Sequence, residues 1–277
     1  MLPVEEAGAV ARPRNDAAAP RVGIAFGGGG VRGFVHLGVL RALNEAGIDA
    51  GVASGSSAGA IAAALYASGM SYPRIEKVIY SLAELDLVDV VASREGLING
   101  QALAAWVREA TGYERIESLP RTLGIVVTDL ANGRPVVIVE GDLGQAVQAS
   151  ASVPGTMVPV QSRGSTLIDG GVLTVVPVRA ARALGADIII GVDVYCGAAP
   201  APRRNAVDTV FRTFRLQSCL LSEAETREAD VLIRPGFEPA SATSFGQREQ
   251  AVEAGYIAAK AQIPALKARL EKPRQDP

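Results

Sequence analysis

Residues 21–33 read RVGIAFGGGGVRG, a short β-rich run that stops at four consecutive glycines. A helical pattern follows and extends to Ala46, where Gly47 supplies a C-terminal stop. Glycines between a strand and a helix let the backbone approach a ligand, and the free N–H groups of the first helical turn attract negative charge. The stretch therefore predicts the first strand–loop–helix unit of an α/β fold, with a binding loop after the strand.

Short apolar runs and helical patterns alternate along the rest of the chain. Strands are predicted at residues 50–54, 123–130, 135–140, 166–169, 187–194 and 231–235, and helices at residues 58–68, 73–86, 101–111, 144–150, 178–184, from 207, and about 247–270. This alternation predicts an α/β three-layer sandwich with a mainly parallel central sheet. We expect one domain over residues 21–270, with a flexible N-terminal tail at residues 1–20 and a C-terminal tail at residues 271–277.

Composition excludes several classes of protein. The 277 residues are 48% hydrophobic, and 27 Lys and Arg against 29 Asp and Glu give a formal charge of −2. That balance argues against a nucleic-acid partner, which would require a basic excess. No run reaches the roughly 18 to 20 apolar residues of a membrane-spanning helix. Cys196 and Cys219 lack metal-ligand spacing, so we expect no metal site and a cytoplasmic protein with reduced thiols.

A candidate nucleophile lies between the second predicted strand and its helix. Residues 55–59 read GSSAG, which matches the G-x-S-x-G pattern of a nucleophile elbow. Such a turn is sharp enough to require very small residues two before and two after the serine. Only Ser57 meets that condition, because Gly55 and Gly59 flank it. Ser57 is therefore the predicted nucleophile.

A serine hydroxyl needs a neighbouring base. The single histidine, His36, lies on an apolar helical stripe and is interpreted as a core residue. Asp169 is the preferred base, because it ends a predicted strand directly before Gly170 and Gly171 and would project from the carboxyl edge of the sheet. The rival acids at strand ends lack the glycine pair: Asp129, Asp187 and Asp193.

The glycine loop also permits a dinucleotide-binding hypothesis. Gly28, Gly30 and Gly33 match G-x-G-x-x-G. The acidic residue expected about 20 positions later would be Asp49, which precedes the second strand instead of ending it. The elbow counts against this alternative.

Three motifs in order resemble those of the patatin-like phospholipases, specifically the compact bacterial members. They are GGGVRG at residues 28–33, GSSAG at residues 55–59 and DGG at residues 169–171. The segment ASASVPGTMVP at residues 149–159 resembles the family's block before the aspartate. The resemblance extends over about residues 21–194.

This resemblance implies a serine hydrolase that cleaves lipid acyl esters with a Ser57–Asp169 dyad and no cofactor. It places the oxyanion hole at Gly28, Gly29, Gly30 and Arg32, where Arg32 either adds positive charge or caps the loop. The supporting residues of the elbow and loops are Gly33, Gly55, Gly59, Gly170 and Gly171. A catalytically weak regulatory member and transfer of the acyl group to an acceptor other than water remain alternatives.

The helix from residue 207 has two interpretations. Its apolar residues, with arginines at 203, 204, 212 and 215, fit either an ordinary core-facing helix or peripheral contact with anionic lipid. Residues 72–95 could form a lid or a dimer face. The sequence leaves the oligomeric state open.

Overall fold

The computed structural model describes residues 2–3, 20–199, 205–240 and 245–271. Its elements in chain order are β1 (Leu2–Pro3), β2 (Val22–Phe26), α1 (Val35–Glu45), β3 (Val52–Ser56), α2 (Ala58–Ala67), α3 (Tyr72–Ser81), α4 (Gln101–Thr111), β4 (Thr122–Asp129), β5 (Arg134–Ile138), α5 (Leu143–Ser150), β6 (Val160–Ser162), β7 (Ser165–Asp169), α6 (Val178–Ala183), β8 (Ile188–Val192), α7 (Ala206–Thr226), β9 (Val231–Ile233) and α8 (Arg248–Leu270). Two short 3₁₀ turns, Gly30–Phe34 and Gly170–Val172, follow the glycine loop and Asp169.

A parallel sheet forms the centre of the molecule. Strands β4, β3, β2, β8 and β9 lie side by side in that order and all run parallel. Beyond β4, strands β5 and β7 pair with it antiparallel, and β6 pairs with β7. The predicted α/β class with a mainly parallel central sheet is confirmed.

Alternate residues of β2 face two separate cores. Ile24 and Phe26 pack with α1, α2, α4, α5 and α8 on one face, whereas Ala25 packs with α6 on the other. Side chains of a strand alternate between the two faces of a sheet, so helices cover both faces and the fold has three layers.

Helices α1 and α8 touch through their backbones. A Cβ added to Gly38 would lie 1.8 Å from the carbonyl oxygen of Val252. A Cβ added to Gly255 would lie 2.1 Å from the carbonyl oxygen of Val35. Both positions therefore require glycine, and the seam fixes α8 against the helix that follows the glycine loop.

The structure differs from the sequence predictions in three places. Leu2–Pro3 pairs with β5, where a tail was expected; the remaining tail residues 1, 4–19 and 272–277 lie outside the described residues. Cys196 and Cys219 form a disulfide, so the expectation of reduced thiols is wrong, because the fold brings their Cα atoms to 5.7 Å. The core-facing interpretation of α7 is also wrong, because its large apolar residues are exposed to solvent.

Candidate active site

Ser57 occupies a strained turn between β3 and α2. Its φ is 53°, in a region that residues other than glycine rarely adopt. A Cβ added to Gly59 would lie 2.0 Å from the carbonyl oxygen of Phe26, and one added to Gly55 would lie 2.5 Å from that of Gly59. The glycines of the motif are therefore sterically required, as its spacing predicts.

Ser57 and Asp169 are in direct contact although 112 positions separate them. The Ser57 hydroxyl donates to Oδ2 of Asp169 over 2.5 Å. The other carboxylate oxygen, Oδ1, accepts the N–H of Gly171 at 2.7 Å. Both side chains are buried. The structure thus joins the two residues that the motifs select, in an orientation that lets a proton pass from hydroxyl to carboxylate.

Antiparallel pairing delivers Asp169 to this position. Asp169 ends β7 opposite Val127 of β4, at the edge where β3 also ends. Gly170 then passes close to β4, since a Cβ there would lie 2.2 Å from the carbonyl oxygen of Val126. Gly170 is therefore required because no side chain fits between the aspartate turn and β4, whereas a Cβ on Gly171 would lie 2.9 Å from Oδ1 of Asp169.

Burial changes the acidity of Asp169. Loss of solvation raises the pKa of the Asp169 carboxyl from 3.8 to about 6, although hydrogen bonds from Ser57 and Gly171 act in the opposite direction. The carboxylate is therefore a stronger base than an exposed aspartate and is still mostly ionised at neutral pH.

Ser150 holds the backbone of Ser57 and was not predicted as a site residue. Its hydroxyl accepts the N–H of Ser57 at 2.9 Å and donates to the carbonyl oxygen of Val126 at 2.6 Å. Ser150 lies within the segment at residues 149–159 that resembles a family block, but its contact with Ser57 spans 93 positions. A sequence pattern alone could not assign that role.

The glycine loop lies beside Ser57. A Cβ added to Gly28 would lie 3.0 Å from Cβ of Ser57. The Gly28 N–H already donates to the carbonyl oxygen of Val175 at 2.9 Å. The N–H groups of Gly29 and Gly30 have no acceptor within the part of the chain that the structure describes. The candidate oxyanion donors therefore narrow from three glycines to Gly29 and Gly30.

Arg32 fixes the glycine loop in place. Its guanidinium donates to the carbonyl oxygen of Gly29 at 3.3 Å and forms an ion pair with Glu238 at 2.6 Å. Glu238 also pairs with Arg215 at 3.0 Å. Because a peptide group is planar, holding the Gly29 carbonyl also orients the N–H of Gly30 on its opposite side. This geometry favours the capping role of Arg32, and it adds Glu238 and Arg215 to the residues around the loop.

His36 has a structural environment. It is buried, and its Nε2 donates to the carbonyl oxygen of Gly27 at 2.8 Å. Burial lowers the pKa of the His36 imidazole from 6.5 to about 4, so it is neutral at physiological pH. The core interpretation of His36 agrees with these contacts.

The other acids considered at the sequence level have partners elsewhere. Asp129 accepts from Asn132 and Ser165, Asp187 from the N–H of Arg21, and Asp193 from Arg234. Asp49 accepts from Tyr66 and Arg121 at the amino ends of the strands, on the edge opposite the glycine loop. That separation removes the contact that the dinucleotide hypothesis requires.

The described residues contain neither a metal-binding cluster nor a membrane-spanning helix. No group of three or more His, Cys, Asp or Glu side chains among them is arranged to hold a metal ion. None of the described helices combines the length and apolar character needed to cross a bilayer.

Residues 24–182 match the family model of the patatin-like phospholipases. The chain belongs to this family. The patatin-like resemblance carried by the three motifs is thereby confirmed.

Relatives with curated names extend the comparison. An uncharacterized NTE family protein of Mycobacterium tuberculosis (strain ATCC 25618 / H37Rv) is 34% identical over 193 residues, which cover 69% of this chain and 53% of the relative. A second NTE family protein of that strain is 30% identical over 271 residues, covering 88% of this chain and 46% of the relative. This patatin-like chain therefore spans about half the length of these relatives.

Two further proteins are similar over smaller regions or in fold. A lysophospholipase of Aspergillus fumigatus is 30% identical over 179 residues, or 62% of this chain and 12% of that protein. The crystal structure of VipD from Legionella pneumophila has a TM-score of 0.61 at 17% identity and covers 91% of this chain and 69% of that one. The second likeness concerns the fold alone.

Proposed function

We propose that this patatin-like chain hydrolyses acyl ester bonds of lipids, with Ser57 as nucleophile and Asp169 as general base. The observation that carries the proposal is the 2.5 Å hydrogen bond between the Ser57 hydroxyl and the buried Asp169 carboxylate. Family membership and the lysophospholipase among the relatives support the choice of lipid esters as the substrate class.

The first half of the reaction forms an acyl-enzyme. Asp169 takes the hydroxyl proton while Ser57 Oγ attacks the ester carbonyl carbon, and the resulting tetrahedral intermediate carries its negative charge on the former carbonyl oxygen. When the intermediate collapses, the bond from carbon to the alcohol oxygen breaks. The proton held by Asp169 passes to that alcohol, which leaves.

The second half releases the fatty acid. Asp169 accepts a proton from water, the hydroxide attacks the acyl carbon, and the bond to Ser57 Oγ breaks as the serine regains its proton. The proposed mechanism requires neither a metal ion nor an organic cofactor.

The glycine loop supplies the remaining element of the proposed mechanism. The N–H groups of Gly29 and Gly30 would donate to the developing oxyanion, with Arg32 fixing the peptide between them. In other hydrolases, loss of one such donor costs roughly 3 to 4 kcal/mol of transition-state stabilisation.

A serine-directed phosphonate probe tests the nucleophile. We expect Ser57→Ala to abolish labelling and to lower hydrolysis of p-nitrophenyl esters by at least about a thousandfold. Ser56→Ala is the matched control, because it removes the neighbouring buried hydroxyl, which has no hydrogen-bond partner among the described residues. Labelling that persists in Ser57→Ala, or that is lost equally in the control, would reject the assignment.

A further inference from the structure

Helix α7 is packed with its polar side inward. Its buried residues, spaced three or four apart, are Arg215, Ser218, Ser222 and Thr226. Its large apolar side chains are instead exposed: Val207, Val210, Phe211, Phe214, Leu216, Leu220 and Leu221. Val207 and Leu221 are each 61% exposed. Amphipathic helices of globular proteins normally show the reverse arrangement, so this surface calls for a partner.

Directional bonds fix the helix in this orientation. The Ser222 hydroxyl accepts the N–H of Val175 at 2.8 Å, and Arg215 donates to the carbonyl oxygen of Tyr195 at 2.8 Å. The disulfide between Cys219 and Cys196 adds a covalent link. Rotation that would bury the apolar side chains would break these bonds, so the exposed side is a fixed feature of the fold.

Helix α7 is anchored beside the candidate active site through its buried side. Val175, which donates to Ser222, follows the turn Gly170–Val172 directly after Asp169. Tyr195 lies next to the glycine loop, since a Cβ added to Gly29 would lie 3.6 Å from its ring. The helix is therefore anchored to segments that adjoin both Asp169 and the oxyanion loop.

A second exposed apolar group lies on a segment that is bonded to the residues before β6. Leu85 and Val90 are more than four-fifths exposed, and Leu97 is also exposed. The Leu97 N–H donates to the carbonyl oxygen of Thr156 at 2.9 Å. The neighbouring Ser152 carbonyl oxygen accepts the N–H of Asp169. Apolar side chains thus stand on two segments that are attached to the Asp169 region.

We propose that the α7 apolar face, defined as Val207, Val210, Phe211, Phe214 and Leu221, docks on the surface of a lipid bilayer. The inference rests on the proposed function, because a lipid ester must leave a bilayer to reach Ser57. The helix that carries this face is anchored to the segments after Asp169 and beside the glycine loop, so a surface that binds the helix lies close to the candidate site. A bilayer in the same place would be the source of that ester.

The charges on the face determine what kind of membrane contact it makes. Around the five apolar members, helix α7 carries Arg212 and Arg215 against Asp208, Glu223 and Glu225, and the whole chain carries a formal charge of −2. Attraction to anionic headgroups is therefore not the main contribution. We expect insertion of the apolar side chains to drive binding, with little dependence on anionic lipid.

Vesicle flotation of the full chain tests the docking face. The experiment uses Ser57→Ala protein, so that binding is measured without turnover, with vesicles of phosphatidylcholine and of an equimolar mixture with phosphatidylglycerol. We expect binding to both, and Val210→Asp with Phe214→Asp to reduce the partition coefficient at least about tenfold. Ile257→Asp is the matched control, because Ile257 is 60% exposed on α8 and should change binding less than about twofold.

Three results would overturn this inference: no binding of the parent protein, equal binding of the double variant, or a dimer in sedimentation that the double variant dissociates. A separate assay with a soluble short-chain ester, on protein that retains Ser57, distinguishes failure of the proposed function. We expect the double variant to keep wild-type hydrolysis there. If the parent protein fails to bind vesicles while Ser57-dependent hydrolysis is intact, only the docking face is rejected, whereas vesicle binding by the parent protein without any Ser57-dependent hydrolysis rejects the proposed function.

Discussion

Asp169 shows how a single buried side chain opposes stability while it serves the proposed chemistry. Two donors, Ser57 and Gly171, satisfy its oxygens, yet burial still raises its pKa to about 6. The folded protein therefore holds a proton on this carboxyl more tightly than the unfolded chain does. Stability must decrease as pH rises through the window from about 4 to 6, because ionisation is unfavourable in the buried site.

Asp169→Asn should separate stability from activity. The amide keeps an acceptor for Gly171 and a donor for Ser57 but carries no charge, so we expect the free energy of unfolding above pH 6 to increase by about 2 to 3 kcal/mol. Hydrolysis should fall at least about a hundredfold, because the base is lost. Urea denaturation near pH 4.5 and near pH 7.5 measures the first effect, and we expect the gain at the lower pH to be only about a third of that at the higher pH.

The pH–rate profile of the wild type provides the accompanying check. Its kcat/KM should rise with pH and level off above about 6, since only ionised Asp169 can accept the proton. A stability gain of equal size at both pH values, or a rate that falls as pH rises through 6, would contradict the assignment of the base.

At the scale of elements, glycines decide how closely α1 and α8 approach. Alanine in a helix interior is normally more stable than glycine by about 0.5 to 1 kcal/mol. At Gly38 the added methyl would lie 1.8 Å from the Val252 carbonyl oxygen, which is far inside van der Waals contact. The steric term must therefore reverse the sign of the usual substitution.

Gly38→Ala should destabilise the fold by about 1 to 3 kcal/mol or more, measured by urea denaturation. Gly236→Ala is the control, because no atom lies within 4 Å of the position of its added Cβ. We expect it to stay within about 0.5 kcal/mol of wild type. Equal or greater stability of Gly38→Ala would show that α8 can move away from α1 at little cost.

Patterns among neighbouring residues predicted most of the helices and strands, and contacts between residues far apart in the sequence account for the predictions that were wrong. Helix α4 has the predicted bounds because Gly100 and Gly112, both left-handed, stop it at each end. Helix α7 has a clear apolar pattern, but the bonds of Arg215 and Ser222 orient it against that pattern. Such bonds depend on residues about 20 to 50 positions away, which periodicity cannot register.

The residues of the candidate site also fall into two groups, those that motifs select and those that only long-range contacts reveal. Ser57 and Asp169 could be selected from motifs, because the elbow and the aspartate turn impose steric demands that only glycine meets. Ser150 and Glu238 could not, because their contacts with Ser57 and Arg32 span 93 and 206 positions. The disulfide between Cys196 and Cys219 likewise depends on how α7 is placed by the fold.

At the scale of the whole molecule, different kinds of residues lie at the carboxyl and amino edges of the central sheet. The glycine loop, Ser57 and Asp169 lie at the carboxyl edge of the parallel strands, whereas ion pairs such as Arg121 with Asp49 lie at the amino edge.

His36 links the glycine loop to the stability of the whole fold, because its buried imidazole donates a hydrogen bond to the carbonyl oxygen of Gly27. Its pKa of about 4 means that the folded protein binds fewer protons than the unfolded chain between pH 6.5 and 4.

Acid should therefore destabilise the wild type through His36. As pH falls through this window, protonation of the unfolded chain should remove up to about 3 kcal/mol from the free energy of unfolding. His36→Gln keeps a donor for the Gly27 carbonyl oxygen and cannot titrate. The free energy of unfolding of the wild type, measured relative to that of His36→Gln, should therefore decrease by that amount between about pH 7 and pH 4. Asp169 acts equally in both and cancels. Parallel stability curves would refute the assignment.

The bridge between Cys196 and Cys219 closes a stretch of chain that contains residues 197–205 of the connection from β8 to α7. A protease that cuts between Cys196 and the start of α7 would leave two polypeptides still joined through sulfur. Helix α7 would then stay covalently attached to the part of the molecule that carries Ser57 and Asp169 after its own peptide link is gone, until a reductant breaks the disulfide.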